Sequence, residues 1–388
     1  MMKKLLFFLI LLAIPITFFL WAHFGIILSA EIMRYFKKSD QISFNPDKCY
    51  RASCDVNYKN YEWSKKHFFE TIQLKSQKVF SGHTLYKDGK FSGETINISG
   101  KDNIRKTKQS SNIKNDKKIF VFGGSVAWGF GSKDDLTLPS LIAKEFDLET
   151  FNYAQQGWTS TQNLIELVRL ISQGKKMDYV IFFDGVNDAI ELCNKKNDHL
   201  KIESMLTDSI QSKLKEDTFK PTSFESYFST FSSFGTVLKY KFIKDYHLKR
   251  KSKELESQMY DCHIDKDKAK VVTNYSLNNW KTAKILTENQ GGKFYLILQP
   301  NPFFDNTKMD HINDIFNLAL QDETYKASVT LFFDTISQKL SDKDYFLDLK
   351  SIFNDRYEHI YSDWAGHIAP KGYADIVLEF KEKFNADF

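Results

Sequence analysis

The sequence predicts an α/β fold in which a parallel sheet is wrapped by helices, and three observations lead there. Short β-prone runs alternate with helical segments from residue 119 almost to the C-terminus. One of these runs, Tyr179-Val180-Ile181-Phe182-Phe183, is apolar without interruption, as a strand buried on both faces must be. Finally, the residues able to do chemistry fall at the carboxyl ends of the predicted strands, where open α/β sheets form their sites.

The first strand, 119–122, runs into Gly123-Gly124-Ser125-Val126-Ala127-Trp128-Gly129. Residues without a Cβ let the backbone turn sharply there, so that Ser125 emerges at the sheet's edge. Taken alone, such a block is more often an ordinary strand-to-helix turn. A helix over 138–146 follows, then a short strand, 151–153, ending in Ala154-Gln155-Gln156-Gly157-Trp158. Thr159-Ser160-Thr161 is a start signal for the helix containing 164–171. The strand 179–183 ends in Asp184-Gly185-Val186-Asn187-Asp188. Residues 189–272 then interrupt the alternation with a stretch too long for a structureless loop, predicted to be a mostly helical insertion. Its Phe224, Tyr227, Phe228 and Phe231 read as core rather than as a substrate platform. The pattern resumes with a helix over 273–287, a strand at 294–298, a helix around 312–320 and a short strand at 345–349. Tyr361-Ser362-Asp363-Trp364-Ala365-Gly366-His367 leads into Pro370, a first-turn proline for a terminal helix through 380.

Serine, glycine, asparagine and an Asp/His pair thus occur in that order, each at an element's end. From about Lys117 to the C-terminus the chain resembles the SGNH, or GDSL-like, serine hydrolases, of a membrane-anchored envelope type. The resemblance implies a three-layer α/β/α fold with a flavodoxin-like parallel sheet. It also implies Ser125 as nucleophile, His367 as base and Asp363 as its orienting acid, with an oxyanion hole from the Ser125 and Gly157 N–H groups and the Asn187 side chain. The chemistry is coherent. A serine hydroxyl is a poor nucleophile until an imidazole can take its proton, and acyl transfer develops an oxyanion that fixed donors stabilise by about 3 kcal/mol each. One departure stands out: the family usually spaces its Asp and His three residues apart, and here they are four apart, with Gly366 as the extra residue. Either the loop bulges at Gly366, or another carboxylate such as Asp355 orients the base. His359 is a competing imidazole that lacks the following Pro-Lys-Gly helix start and reads as a surface residue. The remaining histidines, including His263 beside Cys262, show no metal-ligand spacing, so neither a metal nor a cofactor is expected.

Residues 5–30 carry no charged side chain, a span long enough to cross a bilayer and longer than a usual signal-peptide core. The expectation is a membrane anchor over 1–30, with cleavage after Leu28-Ser29-Ala30 as the alternative. Lysines and arginines flank the run on both sides, so charge does not orient it. The 4 cysteines allow a small Cys49–Cys54 loop and a Cys193–Cys262 pair, which would place the catalytic part outside the cytoplasm; four reduced, buried thiols are the alternative. Residues 31–75 read as a juxtamembrane stalk with a short helix around 61–69, and 76–118 as a small β lead-in with a hairpin turn at Asp88-Gly89. The domain proper is 119–388. A net charge of +5 over 388 residues gives no reason to expect a nucleic-acid partner. The expected activity is hydrolysis of an O-acyl ester on a carbohydrate or other envelope component. Acyl transfer to a sugar hydroxyl and a non-catalytic polysaccharide-binding role are the alternatives.

Overall fold

The computed structural model describes residues 43–195, 260–312 and 323–388. Of two compact units, one comprises Pro46–Ser209 with Leu255–Phe388 and holds every element below; the other, Met1–Asn45 with Ile210–Glu254, lies almost wholly outside the described residues.

Ten strands and eight α-helices are described. The strands are β1 (Lys78–Ser81), β2 (Leu85–Asp88), β3 (Phe91–Ser92), β4 (Asn97–Ser99), β5 (Ile104–Arg105), β6 (Lys118–Gly123), β7 (Glu149–Asn152), β8 (Tyr179–Asp184), β9 (Lys293–Leu298) and β10 (Phe346–Asp348). The helices are α1 (Ser64–Lys75), α2 (Ser125–Trp128), α3 (Leu138–Phe146), α4 (Ser160–Ser172), α5 (Val186–Leu192), α6 (Lys266–Glu288), α7 (Glu323–Leu340) and α8 (Pro370–Phe384). The main sheet has eight strands in the order β10-β9-β8-β6-β7-β5-β4-β3. β6 to β10 are parallel, and counted among themselves they run 2-1-3-4-5, the flavodoxin-like order. The sheet is mixed rather than purely parallel, because β5, β4 and β3 extend it with antiparallel pairings beyond β7.

Side chains alternate across the parallel strands, so each face has its own helical layer. Phe120, Phe122, Val180, Phe182, Phe294 and Leu296 join Leu167 and Leu170 of α4, Trp280 of α6 and Phe332, Phe333 and Ile336 of α7 in one buried cluster. Each such large apolar side chain contributes about 2 kcal/mol on burial. On the other face Tyr295 meets Phe380 and Phe384 of α8, and Phe146 of α3 meets Phe380 edge-on. The helix starts follow local chemistry: Pro370 opens α8, and Asp265 caps α6 by accepting from the Lys268 N–H at 2.9 Å.

Several sequence expectations need correction. The hairpin joins β1 to β2 through residues 82–84, and Asp88-Gly89 closes β2 instead of forming the turn. Residues 46–75 are packed into the same compact unit, with Tyr58, Phe68 and Leu74 fully buried. α7 was not anticipated, although Tyr325, Val329, Phe332, Phe333, Ile336 and Leu340 form one apolar stripe at helical spacing. The expected helix around 312–320, most of the insertion with its four aromatics, and the apolar run 5–30 lie outside the described residues. Among the described residues no helix is long and apolar enough to cross a membrane.

Candidate active site

β6 and β8 pair in register from Ile119↔Tyr179 to Gly123↔Phe183, so both strands end at one edge, with β7 on the far side of β6. That edge carries Ser125 two residues beyond β6, Gly157 in the loop after β7, and Asn187 three residues beyond β8. The chain order reverses here, with β7 and β8 on opposite sides of β6, which is where such sheets hold their ligands.

Ser125 starts the single turn α2 and is half-buried. Its Oγ lies 2.7 Å from His367 Nε2, and His367 Nδ1 lies 2.5 Å from Asp363 Oδ2. With the proton on Nδ1 donated to Asp363, Nε2 is left as acceptor for the serine hydroxyl. The second carboxylate oxygen, Oδ1, accepts from the Ala365 N–H at 3.0 Å and the His367 N–H at 3.2 Å. Burial alone would push the Asp363 carboxyl up; the His367 imidazole and these hydrogen bonds, with Arg51 beyond, outweigh it and hold the group below its ordinary value. The four-residue spacing is absorbed by a bulge. Gly366 adopts φ +86°, a left-handed conformation that costs a Cβ-bearing residue about 1 kcal/mol or more. The Ser362 N–H donates back to the His367 carbonyl at 2.8 Å, closing the loop. Asp355 is exposed, and His359 pairs with Asp310 at 2.7 Å, away from the serine.

Asn187 ties the three strand ends together. Its Nδ2 donates to the Trp158 carbonyl at 2.8 Å, next to Gly157, and the same amide packs against Gly124, where a Cβ would collide with Nδ2. Glycine at 124 is therefore a requirement of close approach. One Nδ2 hydrogen remains to point elsewhere. Among the described residues the Ser125 and Gly157 N–H groups donate to no other protein group. The Asn187 amide thus links the Gly157-Trp158 loop to the glycine that precedes Ser125.

The supporting residues were not legible in the sequence. Asp188 accepts from the Ser160 N–H at 3.0 Å, the Ser160 hydroxyl at 2.5 Å and the Ser276 hydroxyl at 3.1 Å, pinning α5 to the start of α4. Asp184 accepts from Asn163 at 2.7 Å and Trp280 at 3.0 Å. Burial raises both carboxyls, and the nearby Asp188 raises Asp184 further. The Tyr86 hydroxyl on β2 donates to the Gln156 carbonyl at 3.1 Å, and the Trp158 indole donates to the Tyr86 carbonyl at 3.1 Å, so the lead-in hairpin braces the Gly157 loop. Burial raises the Tyr86 phenol and keeps it a donor. Fully buried Arg105 donates to the carbonyls of Trp128, Gly129 and Ser132, fixing the chain just after the nucleophile turn. The Phe130 ring stands 4.2 Å from the His367 ring and 4.9 Å from the Arg51 guanidinium. Arg51 sits in the loop between Cys49 and Cys54, which are bonded to each other, as Cys193 is to Cys262.

No protein-family model and no curated protein matches the sequence. Among solved structures the chain is similar to a lipolytic protein of the G-D-S-L family from Veillonella parvula, at 9% identity, covering 69% of this chain and 98% of that one with a TM-score of 0.38. It is similar to the psychrotrophic esterase EstA from Pseudoalteromonas, at 11% identity, 70% and 98% coverage and a TM-score of 0.32. It is also similar to an acetyl xylan esterase, AlAXEase, at 12% identity, 68% and 98% coverage and a TM-score of 0.34. Similarity this distant is too weak to assign a function.

Proposed function

We propose that the protein is a serine esterase of the SGNH type that cleaves an O-acyl ester on a carbohydrate or other cell-envelope component. The observation that carries the reading is the relay from Ser125 Oγ to His367 Nε2 at 2.7 Å and from His367 Nδ1 to Asp363 at 2.5 Å. In the first half-reaction Ser125 Oγ attacks the ester carbonyl while His367 takes the hydroxyl proton. The oxyanion accepts from the Ser125 and Gly157 N–H groups and from the second Nδ2 hydrogen of Asn187. Collapse breaks the ester C–O bond, and His367 returns the proton to the leaving alcohol. Water, deprotonated in turn by His367, then releases the acid and restores Ser125. Asp363 stays ionised throughout and holds the imidazolium that forms in each half.

The envelope location rests on the apolar run 5–30 as an anchor and on the two cysteine pairs, which suit an oxidising compartment. The test is a fluorophosphonate probe together with a chromogenic acetyl ester, with Ser125→Ala as control. Labelling and turnover, both lost in Ser125→Ala, support the esterase. Labelling without hydrolysis until a sugar acceptor is added makes the protein an acyltransferase. Absence of both on intact protein leaves a binding role and ends the proposal.

A further inference from the structure

Away from the serine, Asp310, His311 and His359 each offer a ligand atom, and the three atoms lie within 4.8 Å of one another. They come from two segments: the loop after β9, and the stretch that leads directly into Tyr361, Ser362 and Asp363. His359 Nε2 is 2.7 Å from Asp310 Oδ1, and the two imidazole rings meet edge to face with centroids 4.7 Å apart.

The state of His311 is informative. Its Nε2 lies 3.0 Å from the Tyr361 carbonyl oxygen, to which an Nε2–H donates; Asn57 Nδ2, 3.2 Å from the same nitrogen, donates to that carbonyl too, at 2.8 Å. The lone pair is then on Nδ1, a buried atom with no hydrogen-bond partner among the described residues. A buried lone pair with nothing to accept is unfavourable, and a cation would satisfy it. An imidazole whose other nitrogen is fixed on a backbone carbonyl is also the usual support for a ligating histidine.

We propose that Asp310, His311 and His359 bind one divalent cation of the zinc class, which clamps the loop after β9 to the segment carrying Asp363. Two imidazoles and one carboxylate suit such an ion, leaving its remaining positions to water. When His359 Nε2 ligates the ion, the proton between it and Asp310 Oδ1 moves to His359 Nδ1 or passes to bulk water. The site is separate from the esterase reading and can fail or hold independently of it.

The experiment uses untagged full-length protein, stripped with a chelator and titrated with zinc chloride by calorimetry, with bound metal counted after gel filtration. One zinc per chain and a zinc-dependent rise in the thermal midpoint are expected. Asp310→Ala and His359→Ala should each weaken that binding at least about tenfold. The Asp310 side chain is 78% exposed, so its removal leaves folding intact. Zinc held equally by the wild type and both variants, or no binding by the folded wild type at about 0.1 mM zinc, overturns the proposal.

Discussion

At the residue scale, the proposed mechanism gives Asn187 two jobs with one amide. One Nδ2 hydrogen is committed to the Trp158 carbonyl, and the mechanism assigns the other to the oxyanion. Asn187→Ala should therefore lower kcat by about 10²- to 10³-fold with little change in KM, the loss expected for one preorganised donor. Steady-state kinetics on an acetyl ester reads this directly, and a change confined to KM would remove Asn187 from the transition state. Asp305 offers a residue-scale test of electrostatics. It accepts from the Tyr361 hydroxyl and from the Phe353 N–H at 3.0 Å, and burial pushes its carboxyl up to about 6. A raised folded-state value means the favourable contribution is full below the unfolded value near 4 and is lost as pH rises through about 6. Asp305→Asn should be no more stable than wild type at pH 4 and gain on it steadily towards pH 7. Parallel thermal midpoints across that range would contradict the assignment.

At the element scale, the β1–β2 hairpin is what a reader of the sequence would set aside as a lead-in. It holds the Gly157 loop through Tyr86, and the Asp88 N–H donates to Gln155 Oε1 at 2.9 Å. Lys87 adds an ion pair to Glu166 of α4 at 2.6 Å. Tyr86→Phe keeps the packing and removes one hydrogen bond, worth about 1 kcal/mol. The expected result is a several-fold fall in kcat with folding intact, and wild-type kcat would show that the loop is held without the hairpin. The strand ends were legible because glycine, serine and asparagine interrupt apolar runs there. The brace was not, because Tyr86 meets a backbone carbonyl 70 residues away. α7 carries its signal locally, a stripe of apolar residues at helical spacing from Tyr325 to Leu340.

At the scale of the whole molecule, long-range closures set the stability. Cys193 and Cys262 are both buried in the main core cluster, at the end of α5 and ahead of α6, with a sequence separation of 69. Constraining a loop of that length in the unfolded chain is worth about 4 kcal/mol. The Cys193→Ala/Cys262→Ala double variant should lose that amount in urea unfolding, and reductant should then shift it further only by what the small Cys49–Cys54 loop contributes. A transition matching that of the oxidised wild type would show that the pair adds nothing.

What the sequence by itself determined is the alternation of strand and helix, the identity of Ser125, Gly157, Asn187 and His367 as residues at element ends, and two possible acids. Those features depend on short-range effects: side-chain periodicity, glycine's backbone freedom, and where proline can start a helix. The tertiary structure alone decided that Asp363 and not Asp355 faces His367, that the extra residue is taken up by a bulge at Gly366, and that Asp310, His311 and His359 share a corner. These depend on segments brought together by packing, Ser125 and His367 being 242 residues apart, and no local pattern encodes the angle at which such segments meet.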